Sequence, residues 1–540
     1  MRLEGIIVGT YLNPGAGKLQ QSRNSEIYVD KSGMLGYLNH VINTEQRFVC
    51  VSRPRRFGKS MSANLISAYY DHSVDGRTLF HGMEIEKDKS FNQHVSNYNV
   101  IKINMQEFLS RTDSMDALLL RLRKIILRDL LREYENIDFF DTNDLIETMQ
   151  DIYAETQRQF VIIIDEWDCI FREEKNHKEQ QDQYLDFLRD WLKDKEYIAL
   201  AYMTGILPIK KYGTHSALNM FSEFSMLDQG RMAVYTGFTE DEVKELCTRY
   251  NMDFIQTKEW YDGYRLEGCG EVYSPRSVVQ SMLMGKFNNY WNQTETFEAL
   301  RVYIDMNYDG LRDAILTVMA GGRVEIDSRS FVNDMVTFHS ADDVLTLLVH
   351  LGYLGYDEPN KEIFVPNKEI MDEFVTATTR SEWSEVMNSI KKSKALLKAT
   401  LEGDEAAVAQ GIATAHLETS HIQYNDENAL SYTLSLAYYA AREHYQMIRE
   451  LPAGKGFADI VFIPKKRFAD RPAIVVELKW NHDAHTALSQ IRENNYPQVL
   501  QNLDYKEIIL VGVSYDKKTR EHSCIIEKNM YAPLPVTMEL

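Results

Sequence analysis

The chain has 540 residues, 44% hydrophobic and 11% aromatic, with a formal net charge of −20. The length predicts two to four domains, the apolar content excludes wholesale disorder, and the acidity excludes a chain that coats nucleic acid with its whole surface, though not local contacts. No apolar run reaches membrane-spanning length and no signal-peptide pattern is seen, so no membrane is expected as a partner; the five cysteines form no Cys-x-x-Cys pair, which speaks against zinc or a disulfide framework and for a reducing cytoplasm.

The first informative element is a strand-like run, Phe48 to Val51. It is followed by Arg53-Pro54-Arg55-Arg56-Phe57-Gly58-Lys59-Ser60 and a helix-like run from Met61 to Tyr70. Strand, loop and helix in this order suit a phosphate-binding loop. The loop from Arg55 through Arg56, Phe57 and Gly58 and the helix N-terminus would cradle the phosphates of ATP. Lys59 would reach the terminal phosphates and Ser60 would hold Mg2+. Arg53 stands where the usual first glycine would, so the match is degenerate. A basic turn that merely caps a helix is the competing reading.

Next comes Phe160 to Ile164, a continuous apolar run ending in Asp165-Glu166. Such a run suits a central strand of a parallel sheet covered on both faces, and its C-terminal end is where such sheets bind ligands. Asp165 is expected to hold the magnesium through water, and Glu166 to polarise the hydrolytic water. Asp168 is a secondary candidate, more simply read as a local cap or pair. Tyr197 to Met203 predicts a neighbouring strand, ending in Thr204-Gly205, with Thr204 sensing the terminal phosphate. This order of motifs suits an AAA-type or related P-loop ATPase.

Residues 239–350 read mainly as helices, starting at the cap-like Thr239-Glu240-Asp241-Glu242. Within them Arg265 and Arg276 are alternatives for a nucleotide contact, with structural arginines the simpler reading. Residues 366–425 read as helical and carry Lys391, Lys392, Lys394 and Lys398.

Two strand-like runs close the pattern, Phe457 to Ile463 and Ala473 to Lys479, and 17 residues separate Asp459 from Glu477, room for a hairpin. Side chains alternate along a strand, so Glu477 and Lys479 share a face, and pairing of the two runs would let Asp459 join them. Two carboxylates and an amine on an apolar sheet are costly unless a metal or substrate compensates them. The set suits metal-assisted phosphodiester cleavage, with Asp459 and Glu477 holding a divalent cation and Lys479 stabilising the attacking water or developing charge. An ordinary surface ion pair is the bland alternative. A helix from Ala484 to Asn494 brings Gln490 as a group to orient the lysine or water; Tyr496 is a weaker helper or a core aromatic. Lys465-Lys466-Arg467 lies in the connecting loop, placed for backbone phosphates or simply solvated.

Together these motifs, with Tyr28-Val29-Asp30-Lys31, Ile164-Asp165-Glu166-Trp167-Asp168 and Thr204-Gly205-Ile206, resemble one bacterial family: an AAA-ATPase-like domain joined to a C-terminal PD-(D/E)XK nuclease-like domain. The likeness covers nearly the whole chain. It implies an α/β fold with an AAA-like P-loop NTPase core over residues 1–240. A helical lid or winged-helix region would follow over 241–365, then a restriction-endonuclease-like domain with a helical lead-in over 366–540. In this family the arginine-rich loop is the usual form, and Trp167 stands where tyrosine is common. The resemblance adds Glu427 as a further acidic metal ligand. Its cofactors would be ATP and Mg2+, with Mn2+ an alternative at the nuclease site. Its partner would be nucleic acid, DNA foremost; a homo-oligomer is left open. The implied function is a nucleotide-regulated, metal-dependent nuclease in defence or mobile-element biology. Two alternatives stand beside it: a nucleotide switch whose nuclease-like domain binds without cutting, and a scaffold with both sites vestigial.

Overall fold

The computed structural model describes residues 9–173, 178–209, 218–228, 230–266, 270–291, 297–306, 308–319, 322–332, 335, 337–379, 384–418, 434, 437–438, 441, 444–453, 456–465, 468–481, 483–493, 507–519 and 521–530. The chain divides into two compact units, residues 1–374 and 375–540.

The first unit is built on a five-stranded sheet. Its strands are β1 (Phe48–Ser52), β2 (Asn99–Asn104), β3 (Phe160–Asp165), β4 (Ile198–Gly205) and β5 (Ser222–Phe224). They lie in the order β2-β3-β4-β1-β5, and every pairing is parallel. All residues of β1, β3 and β4 are buried, as their unbroken apolar runs require in a sheet covered on both faces. The Lys59–Tyr70 helix lies on one face, where Ala63 and Ile66 join Val49, Val51, Val161, Ile163 and Tyr202 in a single core. Because the strands run in parallel, the C-terminal ends of β1, β3 and β4 collect at one edge, with Val51 opposite Thr204 and Ser52 opposite Gly205.

The 238–364 region carries the helices expected over 239–350 and adds short strands between and after them. Helices such as Glu240–Tyr250, Pro275–Met284 and Ala341–Leu351 alternate with β6 (Phe238–Thr239), β7 (Tyr264–Leu266), β8 (Gly270–Tyr273), β9 (Val324–Glu325), β10 (Gly355–Asp357) and β11 (Glu362–Phe364). These form two three-stranded antiparallel sheets, β6-β8-β7 and β10-β11-β9. Strands this short complete too few alternations for a period of two to stand out in the sequence. The Tyr28-Val29-Asp30-Lys31 motif serves this region structurally. Lys31 donates to Val234 O at 2.8 Å and pairs at 2.6 Å with Glu242, which closes a capping box with Thr239.

The second unit holds β12 (Tyr445–Ala453), β13 (Gly456–Pro464), β14 (Ala473–Trp480), β15 (Glu507–Asp516) and β16 (Glu521–Met530), in that spatial order. β14 and β15 are parallel and the other pairs antiparallel. One face gives Ile460, Phe462, Ile474, Val476 and Leu478 to a core that also takes Leu434, Ala437, Tyr438 and Ala441. The opposite face gives Val461, Val475, Ile508 and Leu510 to a core with Leu488 and Ile491 of the Ala484–Glu493 helix.

Candidate functional site

At the sheet edge of the first unit, β1 turns into the arginine-rich loop. Arg53 is buried; its Nη1 donates to Ser52 O at 2.8 Å and Phe224 O at 2.9 Å, so this residue ties β1 to β5. Arg55 is exposed, and Phe57 is buried with its ring 5.2 Å from that of Tyr264. What Phe57 can offer a phosphate is therefore its main-chain amide. Gly58 takes a left-handed φ of 87°, and no side chain caps the helix that starts at Lys59. First-turn N–H groups without a side-chain cap, at a helix end, form an anion cradle. Ser60 is exposed in that first turn. Lys59 Nζ donates to Arg53 O and Pro54 O, both at 2.9 Å. Burial pulls the Lys59 pKa down, opposed by the charges of Glu166, Asp168 and Asp165.

The acids come from the end of β3. Asp165 accepts from Thr204 Oγ1 at 2.7 Å and from Asn104 Nδ2 at 3.5 Å, so three adjacent strands meet at one carboxylate. Thr204 is buried, and its hydroxyl is directed at Asp165. Glu166 has a left-handed φ of 54°, which turns the chain out of the strand. Its carboxylate pairs with Arg172, and burial pushes its pKa up while Lys59 and Arg172 pull the other way. Asp168 is a structural anchor. Its Oδ2 accepts from Ile206 N at 3.0 Å and Leu207 N at 2.8 Å, and from Arg172 Nε at 3.2 Å. Sequence reasoning missed Arg172 and Asn104. Asn104 carried a usable signal, a polar residue at the C-terminal end of a strand beside Asp165; Arg172 carried only its spacing of four from Asp168.

In the second unit, Ile460 lies opposite Val476 on antiparallel strands, and Leu478 N donates to Asp459 Oδ2 at 2.7 Å. Alternation places Asp459, Glu477 and Lys479 on the face of Val461 and Val475, the one covered by the Ala484–Glu493 helix. Lys479 Nζ lies 3.4 Å from Glu477 Oε1. Glu477 is 1% exposed, and among the described residues its buried Oε2 has no hydrogen-bond partner. Burial first, then the Asp459 carboxylate, push Glu477 up to about 8, with Lys479 opposing. A buried carboxylate oxygen with no donor, next to a second carboxylate, fits a hard divalent cation. Among the described residues no group of three or more His, Cys, Asp or Glu could hold a metal. Glu427, the further acid expected, lies outside the described residues, as do Tyr496, Lys466 and Arg467 and the side chains of Lys391, Lys394 and Arg265. Gln490 is half-buried on the covering helix; Arg276 and Lys392 are exposed, and Lys398 lies 3.8 Å from Glu402.

Residues 19–214 match the family model described as "Predicted AAA-ATPase". Residues 427–524 match that of the PD-(D/E)XK nuclease superfamily. No curated protein matches the chain. Among solved structures, ORC2 of Aeropyrum pernix in its ADPNP and ADP complexes aligns at 12% identity. It covers 66% of this chain and 98% of its own, with a TM-score of 0.30. By the two family models, the chain carries an AAA-ATPase-like domain and a C-terminal domain of the PD-(D/E)XK superfamily.

Proposed function

We propose that this chain, which joins an AAA-ATPase-like domain to a PD-(D/E)XK superfamily domain, is an ATP-binding, nucleotide-regulated, metal-dependent nuclease acting on DNA. The observation that carries the reading is the buried Oε2 of Glu477, without a partner among the described residues, on the face it shares with Asp459 and Lys479. Asp459 and Glu477 would hold Mg2+ or Mn2+, with Glu427 as a third acid. A bound divalent ion supplies Lewis-acid stabilisation of the phosphate. Lys479 stabilises charge that develops in the transition state, and Gln490 orients the lysine or the attacking water. At the nucleotide site, the Arg55–Gly58 main chain and Lys59 hold the phosphates of ATP. Ser60 and Asp165 would hold Mg2+, Thr204 senses the terminal phosphate through Asp165, and Glu166 accepts the proton of the hydrolytic water. A cytoplasmic setting, assembly into a homo-oligomer and a role in defence or mobile-element biology belong to the same reading.

The second reading is a nucleotide switch that binds nucleic acid without cutting it. It is favoured by Asp459, one of whose carboxylate oxygens is already engaged by Leu478 N. Incubating single- and double-stranded DNA with Mg2+ or Mn2+, with and without ATP, separates the two. Cleavage abolished by Asp459→Ala supports the nuclease. DNA binding that persists without any cleavage by the wild-type chain supports the switch.

A further inference from the structure

Arg56 sits in the phosphate loop, yet its guanidinium is engaged elsewhere. Its main chain holds a φ of 71°, a region that side chains other than glycine avoid unless the surroundings over-determine it. The surroundings here come from a distant stretch of the first unit. Arg56 Nη1 donates to Tyr290 O at 2.6 Å. On one flank of Arg56, a Cβ built on Gly352 would come within 2.8 Å of Pro54. On the other, Phe57 O accepts from Gly237 N at 3.2 Å. The loop is thus gripped at Pro54, Arg56 and Phe57.

Tyr290 is held from its other side as well. Its N–H donates to Glu369 Oε1 at 2.7 Å, and Trp291 N donates to the same oxygen at 3.0 Å. Glu369 is fully buried and also accepts from Ser277 Oγ at 2.8 Å. It belongs to the Lys368–Thr379 helix, whose Glu373 accepts from Asn289 Nδ2 at 2.7 Å. The carbonyl of residue 290 is therefore fixed by the phosphate loop and its amide by this helix.

We propose that Arg56 is a positioning residue that ties the phosphate loop to the Tyr290 main chain, so that nucleotide occupancy is relayed through Glu369 to the Lys368–Thr379 helix. The proposal rests on the reading of the loop as a nucleotide site. Phosphates drawn to the loop amides shift its main chain, and the Arg56–Tyr290 hydrogen bond either carries that shift or breaks. In both cases the donors to Glu369 are disturbed, and with them the helix that runs across the division between the two units.

The test is hydrogen–deuterium exchange on the full chain, with and without a saturating non-hydrolysable ATP analogue and Mg2+, alongside a direct titration of the analogue. In the wild type, exchange should change on nucleotide addition in peptides covering 286–291 and 368–379. Arg56→Ala, measured at its own saturation, should lose that nucleotide-dependent difference, and Arg56→Lys should retain part of it. Should Arg56→Ala fail to fold, Glu369→Gln serves instead: the response at 286–291 should persist while that at 368–379 weakens. An unchanged response in Arg56→Ala, or no response at 286–291 in a wild-type chain that binds the analogue, overturns the relay. If the titration shows that the wild type binds no nucleotide, the reading of the site has failed, a result distinct from failure of the relay.

Discussion

Two lysines, one at the start of a helix and one near the end of β14, predict different losses on truncation. Lys59 is buried among loop carbonyls and three acids, where its charge can meet terminal phosphates. In Lys59→Ala, ATP affinity should fall at least about tenfold, roughly 1.4 kcal/mol. A fluorescent-nucleotide titration on the folded variant checks this, and unchanged affinity would remove the loop from the nucleotide site. Lys479 instead flanks a carboxylate pair, so Lys479→Ala should keep metal affinity and lose most of the cleavage rate, because its charge is needed only in the transition state. Asp459→Ala and Glu477→Ala should lose both. Calorimetric Mn2+ titration beside a cleavage assay distinguishes these; weakened metal binding in Lys479→Ala would mean that the amine supports the ligand geometry instead. Lys59, Glu477 and Lys479 could be picked out in the sequence because each sits in a short spacing with intrinsic chemical meaning, and Asp459 because it interrupts a neighbouring apolar strand-like run. Arg172 could not, because its role depends on the turn Glu166 makes out of β3. Nor could the fate of Arg53, whose cationic side chain turns inward to the Phe224 carbonyl.

Among the elements, β1, β3, β4, β13 and β14 were legible as apolar runs, whereas the long β12, β15 and β16 and the short strands were not. β3 is apolar from Phe160 to Ile164, so its place inside a parallel sheet followed from composition. β6 to β11 are two to four residues each; β7–β8 and β10–β11 are short hairpins, and β6 and β9 pair with strands far along the chain. The Ala484–Glu493 helix was visible by periodicity, but its closeness to the sheet was not. A Cβ on Gly512, which lies opposite Glu477 on β15, would come 2.6 Å from Ala484 O and 3.1 Å from Leu488 Cγ. Gly512→Ala should therefore push the helix outward and destabilise the second unit by about 1–3 kcal/mol, readable as a lower denaturant midpoint. An unchanged midpoint would show that the helix shifts freely.

The link from the Lys368–Thr379 helix to residue 290 carries a pH signature. Burial pushes Glu369 up to about 7, from an ordinary value of 4.5. A carboxyl whose folded pKa is raised favours folding while protonated, and that advantage disappears as pH climbs from its unfolded value through its folded one. The wild type should lose up to about 3 kcal/mol between pH 4.5 and 8 through this group. Glu369→Gln mimics the neutral acid and should flatten that part of the profile, and parallel pH profiles for the two proteins would count against it.

At the scale of the whole chain, the sequence showed two chemistries, but a single sequence carries no register for the contacts that join the phosphate loop to residues more than two hundred positions away. On the proposed function, those contacts are the route by which nucleotide would control cleavage. The helix bearing Glu369 begins in the first unit and ends in the second. Coupling between two sites on one protein typically amounts to 1–3 kcal/mol. The DNA cleavage rate should therefore differ by about fivefold or more between the nucleotide-free, ADP and non-hydrolysable ATP-analogue states. Glu166→Gln sharpens the test. The amide preserves shape but cannot accept the proton, so ATP should stay bound while turnover slows, holding the chain at the analogue's cleavage level. Linkage is reciprocal for binding, so DNA must change nucleotide affinity by the same factor by which nucleotide changes DNA affinity. Equal cleavage in all three states, with nucleotide shown to be bound, would mean that the two sites work independently and that the Glu369 helix serves stability alone.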